Sequence, residues 1–252
     1  MSLKQSNLPR IASREEWLEA RKHLLAEEKA MTKARDKLSA QRRELPMVRI
    51  DKEYVFEGPG GKATLLDLFD GRHQLITSHF MFDPQWEDGC PSCTAGADEM
   101  SEGLLRHLHT RDTTLVYVSR APLEKIERYK AKRGWTFPWF SSFGSDFNYD
   151  FHVTVDPKVA PVEFNFRTLP ELEEHGMAWM GDGKSYEQPG LSCFLRVGDD
   201  VFHTFSQYAR GAEWLGGSYA YLDLTALGRQ EDWEEPKGRS TAVREARPDF
   251  AS

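Results

Sequence analysis

Two cysteines three positions apart are the residues of this chain with the clearest chemistry. Cys90 and Cys93 stand in the run Cys-Pro-Ser-Cys, after a strongly apolar segment and before a helix-like pattern. A cysteine at a helix N-terminus lies near unpaired N–H groups and the positive end of the helix dipole, which stabilise the thiolate. The spacing then lets the second sulfur displace a mixed disulfide from the first. This pattern predicts dithiol–disulfide exchange, with Cys90 as the exposed nucleophile and Cys93 as the more buried resolving thiol.

Some neighbours of Cys90 favour a reactive thiol at a helix start, and others oppose its ionisation. Pro91 suits the first position of a helix, where its missing N–H is not needed. Asp83, Glu87 and Asp88 are close in the sequence, and nearby negative charge raises the pKa of a thiol. We therefore expect only moderate activation of Cys90. An inert, buried cysteine pair is the alternative interpretation.

A zinc site is the other chemistry that this cysteine spacing allows. Zinc would need two more ligands, and no second Cys-x-x-Cys or paired Cys/His motif follows. The nearest candidates are His79, His107 and His109, and the last two, two positions apart on a predicted helix, cannot share one face. We therefore expect neither a metal nor a cofactor.

Composition narrows the class of protein. The net charge of −7 disfavours nucleic acid as a partner, because phosphate binding needs clustered Lys and Arg. The polar N-terminus lacks the apolar segment of a signal peptide, and no run of 18 apolar residues predicts a membrane span. Three cysteines are too few for a disulfide-stabilised secreted domain. We expect a cytoplasmic protein without a membrane partner, in which Cys193 is a free thiol on a buried strand.

A long helical arm opens the chain, within residues 1–50. Ser13 and Glu16 form a capping-box pattern, and Pro46 should end the helix. Apolar side chains recur at intervals of seven residues, although the positions between them are only half apolar. The arm either packs on its own domain or mediates a homodimer, and a homodimer through this helix or the aromatic segment is our expectation. The heptad-spaced residues are Trp17, Leu24, Met31, Leu38 and Leu45.

The remaining pattern predicts an α/β domain over residues 51–228, followed by a polar tail over 229–252. A βαβ unit followed by an antiparallel hairpin and a helix gives a mixed sheet covered by helices, which is the thioredoxin-like arrangement. An aromatic-rich insertion over 135–189 interrupts it. The predicted elements are a hairpin at 54–56 and 63–66, strands at 74–82 and 114–119, helices from the cysteines to about 109 and at 123–132, a hairpin at 191–197 and 201–206, and a short helix at 208–215.

The insertion begins with eight aromatic residues between Trp135 and Phe151. Such a segment must pack on the domain, a ligand or another subunit. Two interpretations stay equally open: the aromatic residues line a cleft that faces the cysteines, or they belong to the core. In a thioredoxin fold a cis-proline normally precedes the third strand beside the cysteines. Pro189 is the nearest candidate, about one residue early. The residues expected to contact substrate are Trp86, Pro91, Trp139 and Pro189.

Four longer phrases together resemble one family, the bacterial domain-of-unknown-function family 899. They are HFMFDPQWEDGCPSC, RGWTFPWFSSFGSDFNYDF, LSCFLRVGDDVFHTFSQYARG and LDLTALGRQE, and the resemblance covers nearly the whole chain. That family is described as thioredoxin-like and is itself assigned dithiol–disulfide oxidoreductase chemistry by prediction. The resemblance therefore implies this fold and this activity.

The leading hypothesis is disulfide exchange with a protein or small-thiol substrate, recycled by a thiol reductant. One alternative is a non-catalytic binding protein that uses the aromatic insertion on a thioredoxin scaffold. Another is a peroxiredoxin-like peroxidase, because the hairpin before the first buried strand is similar to the entry of peroxiredoxin domains. Peroxiredoxins place a Thr three residues before the reactive cysteine, where this chain has Glu87. Arg120 is a candidate cation for activating the thiol in that reading.

Overall fold

The chain divides into two units. One comprises residues up to Pro46 together with residues from Tyr221, and the other comprises Met47–Ala220. Most of the polar tail predicted over 229–252 lies outside the described residues. No described helix is both long enough and apolar enough to cross a bilayer. The computed structural model describes residues 8–215, 217–226, 229, 231, 233–235 and 237.

The first unit contains the predicted long helix, α1, over Arg14–Arg43. Ser13 caps it: its hydroxyl accepts from the N–H of Glu16 at 3.2 Å, and the Glu16 carboxylate accepts from the Ser13 N–H at 2.8 Å. This reciprocal pair satisfies two of the four N–H groups that a helix start leaves unpaired. The helix ends three residues before Pro46, and none of its residues is buried.

The second unit is built from alternating strands and helices. The helices that follow α1 in the chain are α2 (Pro91–Asp98), α3 (Glu102–His109), α4 (Leu123–Arg133), α5 (Phe147–Asp150), α6 (Leu169–Glu174) and α7 (Ser218–Leu222). The described strands are β1 (Val48–Arg49), β2 (Val55–Gly58), β3 (Gly61–Thr64), β4 (Gln74–His79), β5 (Thr113–Ser119), β6 (Trp139–Ser141), β7 (Thr154–Val155), β8 (Glu163–Phe164), β9 (Arg167–Thr168), β10 (Tyr186–Glu187), β11 (Gly190–Val197) and β12 (Asp200–Tyr208).

The main sheet confirms the predicted thioredoxin-like fold. Among the described residues it has eight strands in the order β1-β12-β11-β4-β5-β6-β2-β3. β4 and β5 are parallel and joined through α2 and α3, β11 is antiparallel to β4, and β12 is antiparallel to β11. The central order β12-β11-β4-β5 therefore combines a βαβ unit with an antiparallel hairpin. Since β4 ends where β11 begins, the segment after β4 and the residues before Gly190 lie at the same edge of the sheet.

Two predicted elements differ from the structure by more than their end residues. The apolar run over 74–82 is a strand only as far as His79, after which the chain leaves the sheet and leads to the cysteines. The single helix predicted from the cysteines to about residue 109 is two helices. Asp98 ends α2 with its carboxylate bound to Arg133 at 2.5 Å, and the hydroxyl of Ser101 caps α3 by accepting from the Leu104 N–H at 3.1 Å. A new helix start with its own cap thus replaces the continuous helix.

Most of the aromatic segment is core. Phe147 and Phe151 pack on one face of the sheet, and Phe137 and Trp139 pack on the other, where the cysteine-bearing helix lies. Phe143, by contrast, is exposed. The rest of the insertion buries a small apolar cluster together with Tyr208 of β12. The insertion residues in this cluster are Val153, Val155, Val162, Phe164, Leu172 and Met180.

Candidate active site

Cys90 is the N-cap residue of α2, as the sequence predicts, with Pro91 in the first turn. Its N–H donates to the Met81 carbonyl at 3.0 Å, and its carbonyl accepts from the N–H and the hydroxyl of Thr94 at 2.9 and 2.8 Å. These bonds fix the backbone on both sides of the thiol. Cys90 and Cys93 are both half-buried thiols in this structure, so Cys90 is less exposed than expected, while Pro91 is exposed.

The pKa values of the two thiols are shifted in opposite directions. The Cys93 thiol donates a hydrogen bond to the Cys90 sulfur, and together with the N–H groups at the start of α2 it lowers the pKa of Cys90 to about 6, against the opposing effect of burial. The same contact with Cys90, followed by burial, raises the pKa of Cys93 well above its usual value. At neutral pH, Cys90 is therefore the thiolate and Cys93 is the protonated thiol that stabilises it. This is a stronger activation than the sequence predicts.

The acidic residues before the cysteines do not act on Cys90 as expected, because each is paired with a basic side chain. Asp88 lies 2.8 Å from Lys132, and Glu87 lies 3.7 Å from both Lys125 and Arg128. The partners come from α4, which the sequence does not place beside this loop. Their positive charges compensate the carboxylates.

Asp83 belongs to a buried ion-pair cluster centred on Arg120. The guanidinium of Arg120, at the end of β5, contacts Asp83 and lies 2.7 Å from Glu187 and 3.0 Å from the Tyr149 hydroxyl. Glu187 also accepts from the Thr154 hydroxyl at 3.0 Å. Arg120 thus binds carboxylates on the segment before Cys90 and on β10. No local sequence pattern around Glu187 predicts this contact with Arg120, which lies 67 positions earlier in the chain.

The expected substrate-contacting residues separate into surface and core. Trp86 is 40% exposed, and Lys125 holds its loop by donating to the Trp86 carbonyl at 2.9 Å. Pro189 is half-buried directly before Gly190, which pairs with His79 at the end of β4. Trp139 is fully buried and donates to the Ser119 hydroxyl at 3.0 Å. It is a core residue that offers no surface to a substrate, which corrects its predicted role.

The remaining cysteine and histidines lie elsewhere. Cys193 is half-buried in the middle of β11, opposite Ile76 of β4. His79 is buried against the Phe147 side of the sheet, and His107 lies on the exposed face of α3. Across the residues that the structure describes, no three His, Cys, Asp or Glu side chains are grouped as metal ligands.

Comparisons with solved structures find similar chains at low identity. A cysteine-to-serine mutant of PrxQ from Xylella fastidiosa is 15% identical, with 68% of this chain and 91% of that chain covered and a TM-score of 0.41. Peroxidoxin BcpB from Mycobacterium tuberculosis is 11% identical, with 66% and 86% covered and a TM-score of 0.40. A putative protein disulfide isomerase from Bacteroides thetaiotaomicron is 21% identical, with 42% and 65% covered and a TM-score of 0.31. At these values the neighbours' activities do not transfer to this chain.

Sequence comparison identifies the family. No curated protein sequence matches the chain. The model of a family of bacterial proteins of unknown function, DUF899, matches residues 6–246. This match confirms the resemblance seen in the four phrases and spans nearly the whole sequence, so the chain belongs to the bacterial family DUF899.

Proposed function

We propose that the protein is a dithiol–disulfide oxidoreductase in which Cys90 is the nucleophile and Cys93 the resolving thiol. The observation that carries the proposal is the position of Cys90 as the N-cap of α2, with Cys93 in the first turn of the same helix. This arrangement keeps one sulfur ionised and the other protonated at neutral pH. Disulfide exchange needs this difference, because the thiolate is the attacking species.

The first step is attack by the Cys90 thiolate on one sulfur of a substrate disulfide. A bond forms between Cys90 Sγ and that sulfur, the substrate disulfide breaks, and the other substrate sulfur leaves as a thiolate that takes up a proton. Cys90 is no longer charged in this mixed disulfide. The contact that raises the pKa of Cys93 has therefore disappeared, and Cys93 ionises more readily.

In the second step Cys93 loses its proton and attacks Cys90 Sγ. The Cys90–Cys93 disulfide forms, the mixed disulfide breaks, and the remaining substrate sulfur leaves and is protonated. The substrate disulfide has gained two electrons and the cysteine pair has lost two. A dithiol reductant then restores the pair by the reverse exchange.

Mass-based thiol counting and insulin reduction test the proposal together. Mild oxidation with glutathione disulfide should remove two alkylatable thiols, at Cys90 and Cys93, and leave Cys193 modifiable. Reduction of insulin disulfides with dithiothreitol as reductant should be lost in Cys90→Ser, and Cys93→Ser should accumulate a mixed disulfide. Cys193→Ser is the matched control and should retain activity. A disulfide that includes Cys193, or activity that survives Cys90→Ser, would contradict the proposal.

The same variants discriminate the two alternatives. A peroxidase would consume hydrogen peroxide with Cys90 intact, and Cys93→Ser would retain the first turnover. Arg120 does not favour this reading, because its guanidinium is bound by Asp83 and Glu187. A binding protein would show neither activity in any variant. Its expected ligand surface is reduced by the burial of Trp139.

A further inference from the structure

Helix α1 presents an apolar stripe along its exposed surface. The helix has 30 residues and is about 45 Å long at 1.5 Å per residue. Four apolar side chains at seven-residue intervals form the stripe, and their exposed fractions are 48% for Trp17, 53% for Leu24, 69% for Met31 and 54% for Leu38. Large apolar side chains that recur on one exposed helix face are the pattern of a helix–helix interface.

The spacing of the stripe fits packing against another helix. Seven-residue intervals keep one seam facing a partner along a supercoil. Two of the positions that complete this seam are Ala20 and Ala34, and small residues leave room for large side chains of a facing helix. The other two, Glu27 and Gln41, are polar and long. The stripe therefore suits a partner whose large and small residues alternate in the same way.

The charges of the helix identify that partner. Residues 14–28 carry five acidic and three Lys or Arg side chains, whereas residues 29–43 carry six Lys or Arg and one acidic side chain. Two copies in parallel would place like-charged halves together. Two copies in antiparallel orientation place each acidic half against a basic half, which charge pairing favours.

We infer that the protein forms a homodimer through an antiparallel pair of α1 helices, with the two-fold axis near the middle of the helix. The second copy supplies both an identical apolar stripe and the opposite charge at each end, as a self-complementary two-fold interface requires. The inference is independent of the cysteine chemistry.

Paired substitutions on opposite faces of α1 test the interface in the full-length chain. Leu24→Glu with Leu38→Glu places charges in the stripe, and both positions are already exposed, so the fold of each copy should be unaffected. Ala26→Glu with Ala40→Glu adds the same charges on the opposite face, where both residues are exposed. Sedimentation equilibrium at micromolar concentration should give a dimer for the wild type and the alanine control, and a monomer for the leucine variant. Circular dichroism should show folded protein in all three.

The orientation is tested by a distance between two labels. A nitroxide on Glu19→Cys, in a chain whose three native cysteines are Ser, should lie about 30 Å or more from its copy in an antiparallel dimer, since some 20 residues separate the two positions along the axis. A parallel dimer would bring the labels within about 15 Å, the width of two packed helices. A monomeric wild type, a dimer that survives the leucine substitutions, or the short distance would each overturn the inference.

Discussion

The guanidinium of Arg120 lies 2.7 Å from the carboxylate of Glu187, and the two residues join the end of β5 to the strand that precedes Pro189. The Glu187 side chain is only 2% exposed. Burial raises the pKa of Glu187, and the charge of Arg120 opposes that rise. Because Arg120 also binds Asp83, one buried cation holds the segments on both sides of the cysteines. The pair thus joins the segment before the cysteines to the strand before Pro189 in a largely buried environment.

Arg120→Met should therefore destabilise the protein strongly. Removing the cation leaves Glu187 in the interior without its partner, and breaking a buried pair in this way costs about 3–5 kcal/mol. Guanidinium denaturation measures the free energy of unfolding. Arg128→Met is the control, because its pair with Glu87 is exposed and 3.7 Å apart and should contribute about 0–1 kcal/mol. Equal losses in the two variants would show that the Arg120 cluster is not structurally important.

Two glycines near the cysteines should respond to alanine in opposite ways. A Cβ on Gly89 would lie 2.5 Å from a ring carbon of Phe80 and 3.2 Å from Tyr129, so Gly89→Ala should cost about 1–3 kcal/mol through overpacking. A Cβ on Gly96, within α2, meets no atom within 4 Å. Gly96→Ala should stabilise by about 0.5–1 kcal/mol, because glycine is unfavourable inside helices. Thermal unfolding of both variants measures the difference, and a stable Gly89→Ala would contradict the close packing before Cys90.

Features set by neighbouring residues could be predicted from the sequence. The start of α1 follows from Ser13 and Glu16, whose side chains and backbones satisfy each other within one turn. The place of Cys90 at a helix N-terminus follows from Pro91 and from the apolar run before it. The contacts of Ser13 and Glu16 are three residues apart, and Pro91 is the immediate neighbour of Cys90.

Features set by distant residues could not be predicted. Arg120 and Glu187 are 67 positions apart, and no local pattern indicates that they meet. The acidic residues before Cys90 were expected to raise the pKa of its thiol, but α4 supplies a cation to Asp88 and Glu87. Trp139 was expected to contact substrate, because aromatic density alone does not reveal which face of a strand is covered. These outcomes depend on tertiary packing rather than on spacing.

Cys93→Ala should raise the pKa of Cys90 from about 6 toward the usual thiol value of about 8.5. The variant removes the thiol that donates to the Cys90 sulfur, which is the largest cause of the lowered pKa. The pH dependence of iodoacetamide alkylation, followed by mass spectrometry, reports this ionisation. Cys93→Ser retains a donor and should give an intermediate value. Alkylation of Cys90 with an unchanged midpoint in Cys93→Ala would show that the helix N-terminus alone activates the thiol.

A hydrogen-bond chain links four side chains across β4, β11 and β12. His79 Nε2 lies 2.9 Å from the Ser192 hydroxyl, which lies 2.8 Å from the hydroxyl of Ser206, and Ser206 lies 2.8 Å from His203 Nε2. Burial, with a smaller effect from His203, lowers the pKa of His79 to about 3, and burial also lowers the pKa of His203. The folded chain therefore keeps His79 neutral where the unfolded chain would protonate it.

His79→Gln should make stability less dependent on pH. Below the unfolded-state pKa of about 6.5, the unfolded chain binds a proton that folded His79 does not bind until about pH 3, so wild-type stability falls as the pH falls through this window. Between pH 7.5 and 5.5 this residue should account for a loss of about 1.4 kcal/mol, measured by urea unfolding, and the Gln variant should lack that part. Ser206→Ala is the control, because it breaks the chain without removing a titrating group. Ser206→Ala should lower the free energy of unfolding by a similar amount at both pH values. An identical pH dependence in the wild type and His79→Gln would refute the role of His79.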